Sequence, residues 1–389
     1  MEPFAFDESW QIIRQVFPPD LETIARQSGS FRRARTVGSA ETLLRLLLMH
    51  ASGLSLRQTA LRAKEQGLAT LSPVALFKRL RQSEAFLQQL TRGVLEQVQA
   101  RAAPVKWPGG YRFRIIDATS VKEPGPTGSC WRIHYSLRLP ELVCDHFELT
   151  DPEGGESFKR WQTRPNEVLL ADRAYAHREA VGALSDQGVR VVVRFNGRSF
   201  PLLTEQGRRF NVLARLRGLK VGQVKEWQLN FRVGDKCRPI GLCALRKSAL
   251  AAQRAVRRAY RKAQRQQRSP PSRKALALSR YLLVLTNLEA EVWSGLQVLE
   301  LYRCRWQVEL AFKRLNGLLK LGYLPKNDPQ SARGWLQLKL LLALVIEKLC
   351  YDARFFSPWG YRLEFQPLGG VAGNDRLGVD EPALSVVST

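Results

Sequence analysis

Residues 111–117 read YRFRIID and residues 168–172 read VLLAD, and these two stretches indicate the fold. Each is a short run of strand-forming residues that ends in an aspartate, Asp117 or Asp172. An aspartate that follows a buried strand often only caps a turn. Two of them in one predicted sheet can instead meet at the same edge, so both carboxylates are candidates for a shared site.

Further strand and helix patterns surround these two stretches. Residues 131–139 and 142–150 are rich in strand formers, and residues 189–195 form another strand-like run. Residues 156–162 and 177–187 have the spacing of helices. The predicted order is β-β-β-α-β-α-β, which favours an α/β mixed sheet with helices on its faces.

The first part of the chain, residues 1–102, predicts a helical domain. Ser39, Ser55 and Ser72 stand where helices begin, and Gln58 completes a capping-box spacing with Ser55. Two short helices joined by a glycine-containing loop resemble a helix-turn-helix, and the second carries Lys78, Arg79 and Arg81. DNA contact is therefore predicted for this domain, with ordinary helix packing as the alternative.

The charge of the chain points to a polyanionic partner. The sequence has 61 Lys+Arg against 35 Asp+Glu, a formal net charge of +26. The most apolar stretch, residues 335–351, is interrupted by charges and predicts a buried helix instead of a membrane span. The first twenty residues lack an apolar signal segment, and the six cysteines form no CxxC pair. We therefore expect a cytosolic protein that binds nucleic acid and no membrane.

Residues 197–296 interrupt the α/β pattern with a basic segment. Strands are predicted at 208–216, 223–233, 238–246 and 281–286, and a helix at 249–267. No Asp or Glu occurs between Lys236 and Leu288, so the cations of this helix have no acidic partners nearby in sequence. The alternative is that this segment is solvated and makes no contact with the DNA backbone. The cations predicted to bind DNA are Arg254, Arg257, Arg258, Arg261 and Lys262.

A third acidic candidate lies in residues 301–313, LYRCRWQVELAFK. Tyr302, Arg305, Glu309 and Lys313 have helical spacing, which predicts one polar stripe. By periodicity alone, an exposed face with ordinary i,i+4 ion pairs is the better explanation of this stripe.

Three strings together carry a resemblance to a known family. They are IIDATSVKEPGPTGSCWRIHYSL around Asp117, LLADRAYAHRE around Asp172, and YRCRWQVELAFKRL around Glu309. The chain resembles a DDE transposase of the insertion-sequence-4 type over about residues 38–356, and the last string is similar to the Y-x2-R-x3-E signature of that family. The signature continues with a lysine where this chain has Asn316, while Lys313 matches a second lysine often present there.

The resemblance implies a ribonuclease H-like catalytic domain and a reaction. Asp117, Asp172 and Glu309 are the implied catalytic and metal-binding residues, for two Mg²⁺ ions with Mn²⁺ as a substitute. Tyr302, Arg305 and Lys313 are the implied DNA contacts near the scissile bond. The implied activity is cut-and-paste transposition on double-stranded DNA, both element ends and target, by a homodimer in the synaptic complex. The alternatives are a catalytically inactive DNA-binding regulator and a stand-alone metal-dependent nuclease.

The predicted domain organisation follows from these patterns. The ribonuclease H-like sheet is expected to be flanked by helices and interrupted by a mostly β insertion, after an N-terminal helical domain. The predicted segments are 1–102 (helical, DNA-end-binding), 103–196 (first part of the catalytic domain), 197–296 (basic insertion), 297–356 (helical completion) and 357–389 (loose tail).

Overall fold

The computed structural model of the protein describes residues 10–101, 107–122, 130–321, 324 and 328–353. The chain divides into two units, residues 1–348 and 349–389, and the second is described only over residues 349–353. The predicted C-terminal tail, 357–389, lies outside the described residues.

Capped helices occupy the N-terminal hundred residues, as predicted. Ser39 accepts a hydrogen bond from the backbone N–H of Thr42, and Ser55 forms a capping box with Gln58. Ser72 caps a helix whose first residue is proline. The helices are α1 (Leu21–Gln27), α2 (Ala40–Ala51), α3 (Leu56–Glu65), α4 (Pro73–Arg81) and α5 (Glu84–Arg101).

The central sheet begins as an antiparallel meander and continues with parallel strands. The elements are β1 (Arg112–Lys122), β2 (Cys130–Leu139), β3 (Val143–Thr150), β4 (Glu167–Ala171), α6 (Arg178–Asp186) and β5 (Arg190–Arg194). β4 is parallel to β1, and β5 is parallel to β4. The order β3-β2-β1-β4-β5 is that of a ribonuclease H-like fold, so the predicted fold class is confirmed.

The helix predicted at residues 156–162 is wrong in extent. Only a single 3-10 turn, Phe158–Arg160, forms there, with Ser157 as its cap. Gly154 and Gly155 precede the turn, and their backbone freedom disfavours a longer helix.

The segment after β5 returns to the same sheet. Its elements are α7 (Val212–Leu216), β6 (Val224–Val233), β7 (Lys236–Arg246), α8 (Ala249–Arg265), α9 (Arg273–Ser279) and β8 (Tyr281–Thr286). β8 pairs antiparallel with both β5 and β7, which completes an eight-stranded sheet. Three of the four predicted strands and the basic helix are confirmed.

The strand predicted at residues 208–216 is wrong. Residues 212–216 form α7 because the Asn211 side chain accepts a hydrogen bond from the backbone N–H of Ala214 at 3.2 Å. An asparagine N-cap of this kind favours a helical turn over an extended chain.

Helices complete the described part of the chain: α10 (Gly295–Arg303), α11 (Trp306–Leu318) and α12 (Pro329–Ala353). The apolar side of α12 is buried, as predicted for residues 335–351, and Leu336, Leu340 and Leu344 are almost fully covered. Lys339 on this helix donates a hydrogen bond to the carbonyl oxygen of Ala51 at 2.6 Å, so α12 packs against α2. Among the described helices, none is long and apolar enough to cross a membrane.

Candidate active site

Asp117 and Asp172 lie next to each other where the pairing of β1 with β4 ends. Ile115 pairs with Leu170 in this parallel register, and two further residues along each strand lead to Asp117 and Asp172. β4 stops one residue before Asp172, whereas β1 continues past Asp117 against β2 alone. Asp117 was predicted to end its strand, and this is wrong, because β1 continues beyond it. Asp117 nevertheless faces the carboxyl end of β4.

Asp172 caps a turn and also faces this edge of the sheet. Its Oδ1 accepts a hydrogen bond from the backbone N–H of Ala174 at 2.6 Å, which caps the 3-10 turn Arg173–Tyr175. The turn-capping role considered from the sequence is thus real for this residue. Within the described residues its Oδ2 accepts no hydrogen bond, so one oxygen stays available to a ligand.

Asp117 lies in an environment that opposes its negative charge. Burial raises the pKa of Asp117 to about 7, the backbone N–H of Ala118 lowers it, and the charge of Asp172 raises it again. Asp117 Oδ1 accepts the hydrogen bond from Ala118 at 2.9 Å. A carboxylate held close to others in this way gains from a cation.

Arg305 joins Asp117 to Glu309. Its Nη1 donates to Asp117 Oδ2 at 3.3 Å, and its Nη2 donates to Glu309 Oε1 at 2.5 Å. The guanidinium carbon lies 5.9 Å from the centre of the ring of Tyr302, which is buried. The structure therefore brings together Asp117, Glu309, Arg305 and Tyr302, four residues that lie far apart in sequence or on different helices.

The polar stripe predicted for residues 302–313 is interrupted. α10 ends at Arg303 and α11 begins at Trp306, so Tyr302 and Glu309 lie on different helices with Arg305 between them. Lys313 is exposed, and its ammonium nitrogen lies 5.9 Å from the ring centre of Trp306. Asn316 is exposed on the same helix.

The side chains proposed as ligands have the chemistry that a hard divalent cation prefers. Asp117, Asp172 and Glu309 offer only carboxylate oxygens, the ligands that Mg²⁺ and Mn²⁺ prefer. Among the described residues, no group of three acidic, histidine or cysteine side chains is close enough to hold one metal ion. The chemistry of the three carboxylates fits such a cation, but among the described residues they are not gathered around a single point.

Two residues of this site escaped the sequence analysis. Burial raises the pKa of Glu156, and the charge of Asp172 raises it further. Burial also raises the pKa of the Tyr175 hydroxyl, with further contributions from Asp117, Glu156 and Asp172. Tyr175 belongs to the string around Asp172, whereas Glu156 opens the stretch predicted as a helix, of which only the 3-10 turn Phe158–Arg160 forms.

The basic helix α8 lies on the surface and approaches this site. None of its residues is buried. The charge of Lys262 lowers the pKa of Glu156, and Arg258 helps to hold the pKa of Lys247 down at about 8, after the effect of burial. All five cations predicted to bind DNA on α8 are solvent-exposed: Arg254, Arg257, Arg258, Arg261 and Lys262.

Comparison with known proteins decides the family. Residues 150–346 match the family described as "Transposase DDE domain". The putative transposase InsL of insertion sequence element IS186A from Escherichia coli K12 is 33% identical over 354 residues, 88% of this chain and 93% of that protein. The chain belongs to the DDE transposase family. The predicted resemblance to the insertion-sequence-4 type is confirmed.

A second relative matches this DDE transposase over a similar length. The transposase of insertion sequence element IS421 from Escherichia coli is 33% identical over 355 residues, 88% of this chain and 93% of that protein. A cryo-EM structure of piggyBac transposase in a synaptic complex with hairpin DNA aligns over 87% of this chain and 74% of that one. The identity there is 10% and the TM-score 0.45.

Proposed function

We propose that this DDE transposase moves its element by a cut-and-paste reaction that uses Asp117, Asp172 and Glu309. The observation that supports the proposal most is the register of β1 and β4, which leads to two aspartates side by side. Arg305 then connects Asp117 to the glutamate of the third motif. If Arg305 only formed structural ion pairs with Asp117 and Glu309, there would be no need for Asp172 beside Asp117.

The proposed reaction has two steps at the same residues. In the first step, water attacks a phosphodiester at the element end. A P–O bond to the water oxygen forms, the bond between phosphorus and the 3′ oxygen breaks, and the water loses a proton while the 3′ oxygen gains one. In the second step, the freed 3′-hydroxyl attacks a phosphodiester of target DNA, loses its proton and displaces a target 3′ oxygen. No covalent enzyme intermediate forms in either step.

The acidic residues and the cation have separate roles. Asp117, Asp172 and Glu309 are the proposed ligands of two Mg²⁺ ions, which Mn²⁺ can replace. When bound, such ions supply the activation of the attacking oxygen and the stabilisation of the leaving oxygen. Tyr302, Arg305 and Lys313 are proposed to bind phosphates near the scissile bond, because a guanidinium matches the geometry of phosphate oxygens.

The exposed helix α8 is the proposed path of the DNA backbone. No salt bridge joins its cations to an acid within the part of the chain that the structure describes, although the charge of Lys262 acts on Glu156. A phosphate backbone would relieve the mutual repulsion of these cations. Double-stranded element ends and target DNA are the proposed partners, bound by a homodimer in the synaptic complex. The proposed location is the bacterial nucleoid in the cytoplasm.

The experiment that tests the proposal uses a DNA fragment that carries the element's own ends. Purified protein is incubated with the fragment and a plasmid, in Mg²⁺ or in EDTA, and 3′-end nicking and joining are followed on gels. We expect Mg²⁺-dependent nicking and then joining, and we expect Asp117→Asn to bind the fragment but not to cut it. Nicking without joining indicates a nuclease, and binding without nicking indicates a regulator.

A further inference from the structure

Arg305 forms an ion pair with each of two carboxylates, those of Asp117 and Glu309. It lies at the junction of α10 and α11, where the break between the two helices points its side chain towards β1. Only 17% of its side chain is exposed. One nitrogen contacts Asp117 and another contacts Glu309, so the planar guanidinium uses its fork to hold two separate carboxylates.

This contact uses the oxygens that a divalent cation needs. Asp117 Oδ1 accepts the backbone N–H of Ala118, and Oδ2 accepts Arg305. Both oxygens of Asp117 are therefore engaged by donors of this chain. A cation that binds between Asp117 and Glu309 has to replace the guanidinium, because the guanidinium already lies between Asp117 Oδ2 and Glu309 Oε1 and two cations in that space repel each other.

We propose that Arg305 is an internal counter-cation, which holds Asp117 and Glu309 until a DNA phosphate draws the guanidinium away and leaves their oxygens to the divalent cation. This inference rests on the proposed function and adds its regulation. Phosphate offers the same paired oxygens as the two carboxylates, so the exchange keeps the hydrogen bonds of Arg305 satisfied. Arg305 is in this sense a positioning residue for the cation site.

The exchange couples DNA binding to metal binding. Because Arg305 contacts either the carboxylates or the phosphate, DNA raises the affinity for the cation, and the cation raises the affinity for DNA by the same factor. The consequence is that the site loads fully only on DNA.

The first test measures Mn²⁺ binding to the full-length protein without DNA, by electron paramagnetic resonance of free Mn²⁺. Arg305→Gln removes the charge and the fork, whereas Arg305→Lys keeps the charge but cannot bridge two carboxylates in the same plane. Lys313→Gln is the matched control, since it removes a nearby charge that contacts no carboxylate among the described residues. We expect Arg305→Gln to bind Mn²⁺ about ten-fold more tightly, Arg305→Lys to show part of this gain, and Lys313→Gln to change it less than about two-fold.

The outcomes separate competition for oxygens from simple charge repulsion. If Arg305→Lys binds Mn²⁺ like wild type while Arg305→Gln and Lys313→Gln gain equally, the guanidinium acts only through its charge and the proposal is wrong. If neither Arg305 variant gains affinity, the proposal is also wrong. Circular dichroism establishes that each variant is folded, and Arg305→Lys serves as the test if Arg305→Gln is not.

A second test examines the coupling itself. Mn²⁺ titrations of wild type and of Arg305→Gln are repeated with a duplex of the element end. We expect the duplex to raise the Mn²⁺ affinity of wild type by a larger factor than that of Arg305→Gln, because only wild type has a guanidinium to be drawn away. An equal gain for both proteins overturns the proposal. If wild type nicks DNA but shows no coupling, only this inference fails. If wild type neither nicks DNA nor shows an Asp117-dependent Mn²⁺ site, the proposed function and this inference fail together.

Discussion

Arg114 connects the strand that carries Asp117 to its neighbours, and its removal is expected to destabilise the sheet strongly. Its Nε lies 2.9 Å from Asp145 Oδ2 on β3, and its Nη1 lies 3.4 Å from Glu167 Oε2 on β4. Nε also donates to Ser136 on β2, and Nη1 donates to the carbonyl oxygen of Gln162. One guanidinium therefore joins β1 to three other strands.

The magnitude follows from burial. The side chains of Arg114 and Asp145 are each 9% exposed, and that of Glu167 is 12% exposed. Arg114→Met keeps much of the packing but leaves two buried carboxylates without their cation, which costs about 3–5 kcal/mol. This is a large part of the free energy of unfolding of an ordinary protein, about 5–15 kcal/mol.

The assay is equilibrium unfolding in urea, followed by tryptophan fluorescence. Arg112→Met is the matched control, because Arg112 lies two residues earlier on the same strand and is exposed; we expect it to cost less than about 0.5 kcal/mol. Combining Arg114→Met with Asp145→Asn and Glu167→Gln is expected to recover at least half of the loss. A cost of less than about 1 kcal/mol for Arg114→Met refutes the reasoning that this buried cation is needed by its two carboxylates.

Three further predictions concern the site, its basic helix and helix packing. The pKa of Asp117 is raised from 3.8 to about 7 in the folded protein, so folding takes up a proton in this range and stability falls as the pH rises through it. Asp117→Asn is therefore expected to raise the free energy of unfolding by about 2–4 kcal/mol at pH 8 and by less at pH 5, measured in urea at both pH values. Arg257→Gln is expected to reduce the slope of log K against log salt for DNA binding by about 0.9, measured by fluorescence anisotropy; an unchanged slope removes Arg257 from the DNA contact. A Cβ on Gly334 meets the carbonyl oxygen of Leu80 at 2.6 Å, whereas one on Gly93 meets nothing within 4 Å. Gly334→Ala is thus expected to lower the melting temperature and Gly93→Ala to leave it equal or higher, and equal melting temperatures for the two variants contradict this packing.

Local patterns were sufficient for most of the secondary structure. Serine caps at residues 39, 55 and 72 predicted the helix starts because the capping hydrogen bond is made within four residues. Apolar runs predicted β1 and β4, because a strand buried on both faces has little polar content. The strand at 208–216 failed because one capping asparagine outweighed the strand-like composition around it.

The arrangement of the site was only partly predictable. The i,i+4 spacing correctly indicated the contact of Arg305 with Glu309, yet periodicity assumed one helix where the chain has two. Glu156 reaches Asp172 through tertiary folding of a loop, and nothing local distinguishes it from an exposed acid. The contact of Arg305 with Asp117 joins residues far apart in sequence, so only the folded chain could reveal it.

The pairing of β8 with β5 has a consequence for how this protein can be altered. Residues 197–296 look like a detachable module in sequence, but their last strand covers the outer edge of β5, where Val191, Val192 and Val193 are buried. A deletion that joins residue 196 directly to residue 297 would expose this apolar edge to other chains, and such edges promote aggregation. Shortened versions for engineering therefore need to retain β8 and to remove only the excursion between β7 and β8, where α8 and α9 lie.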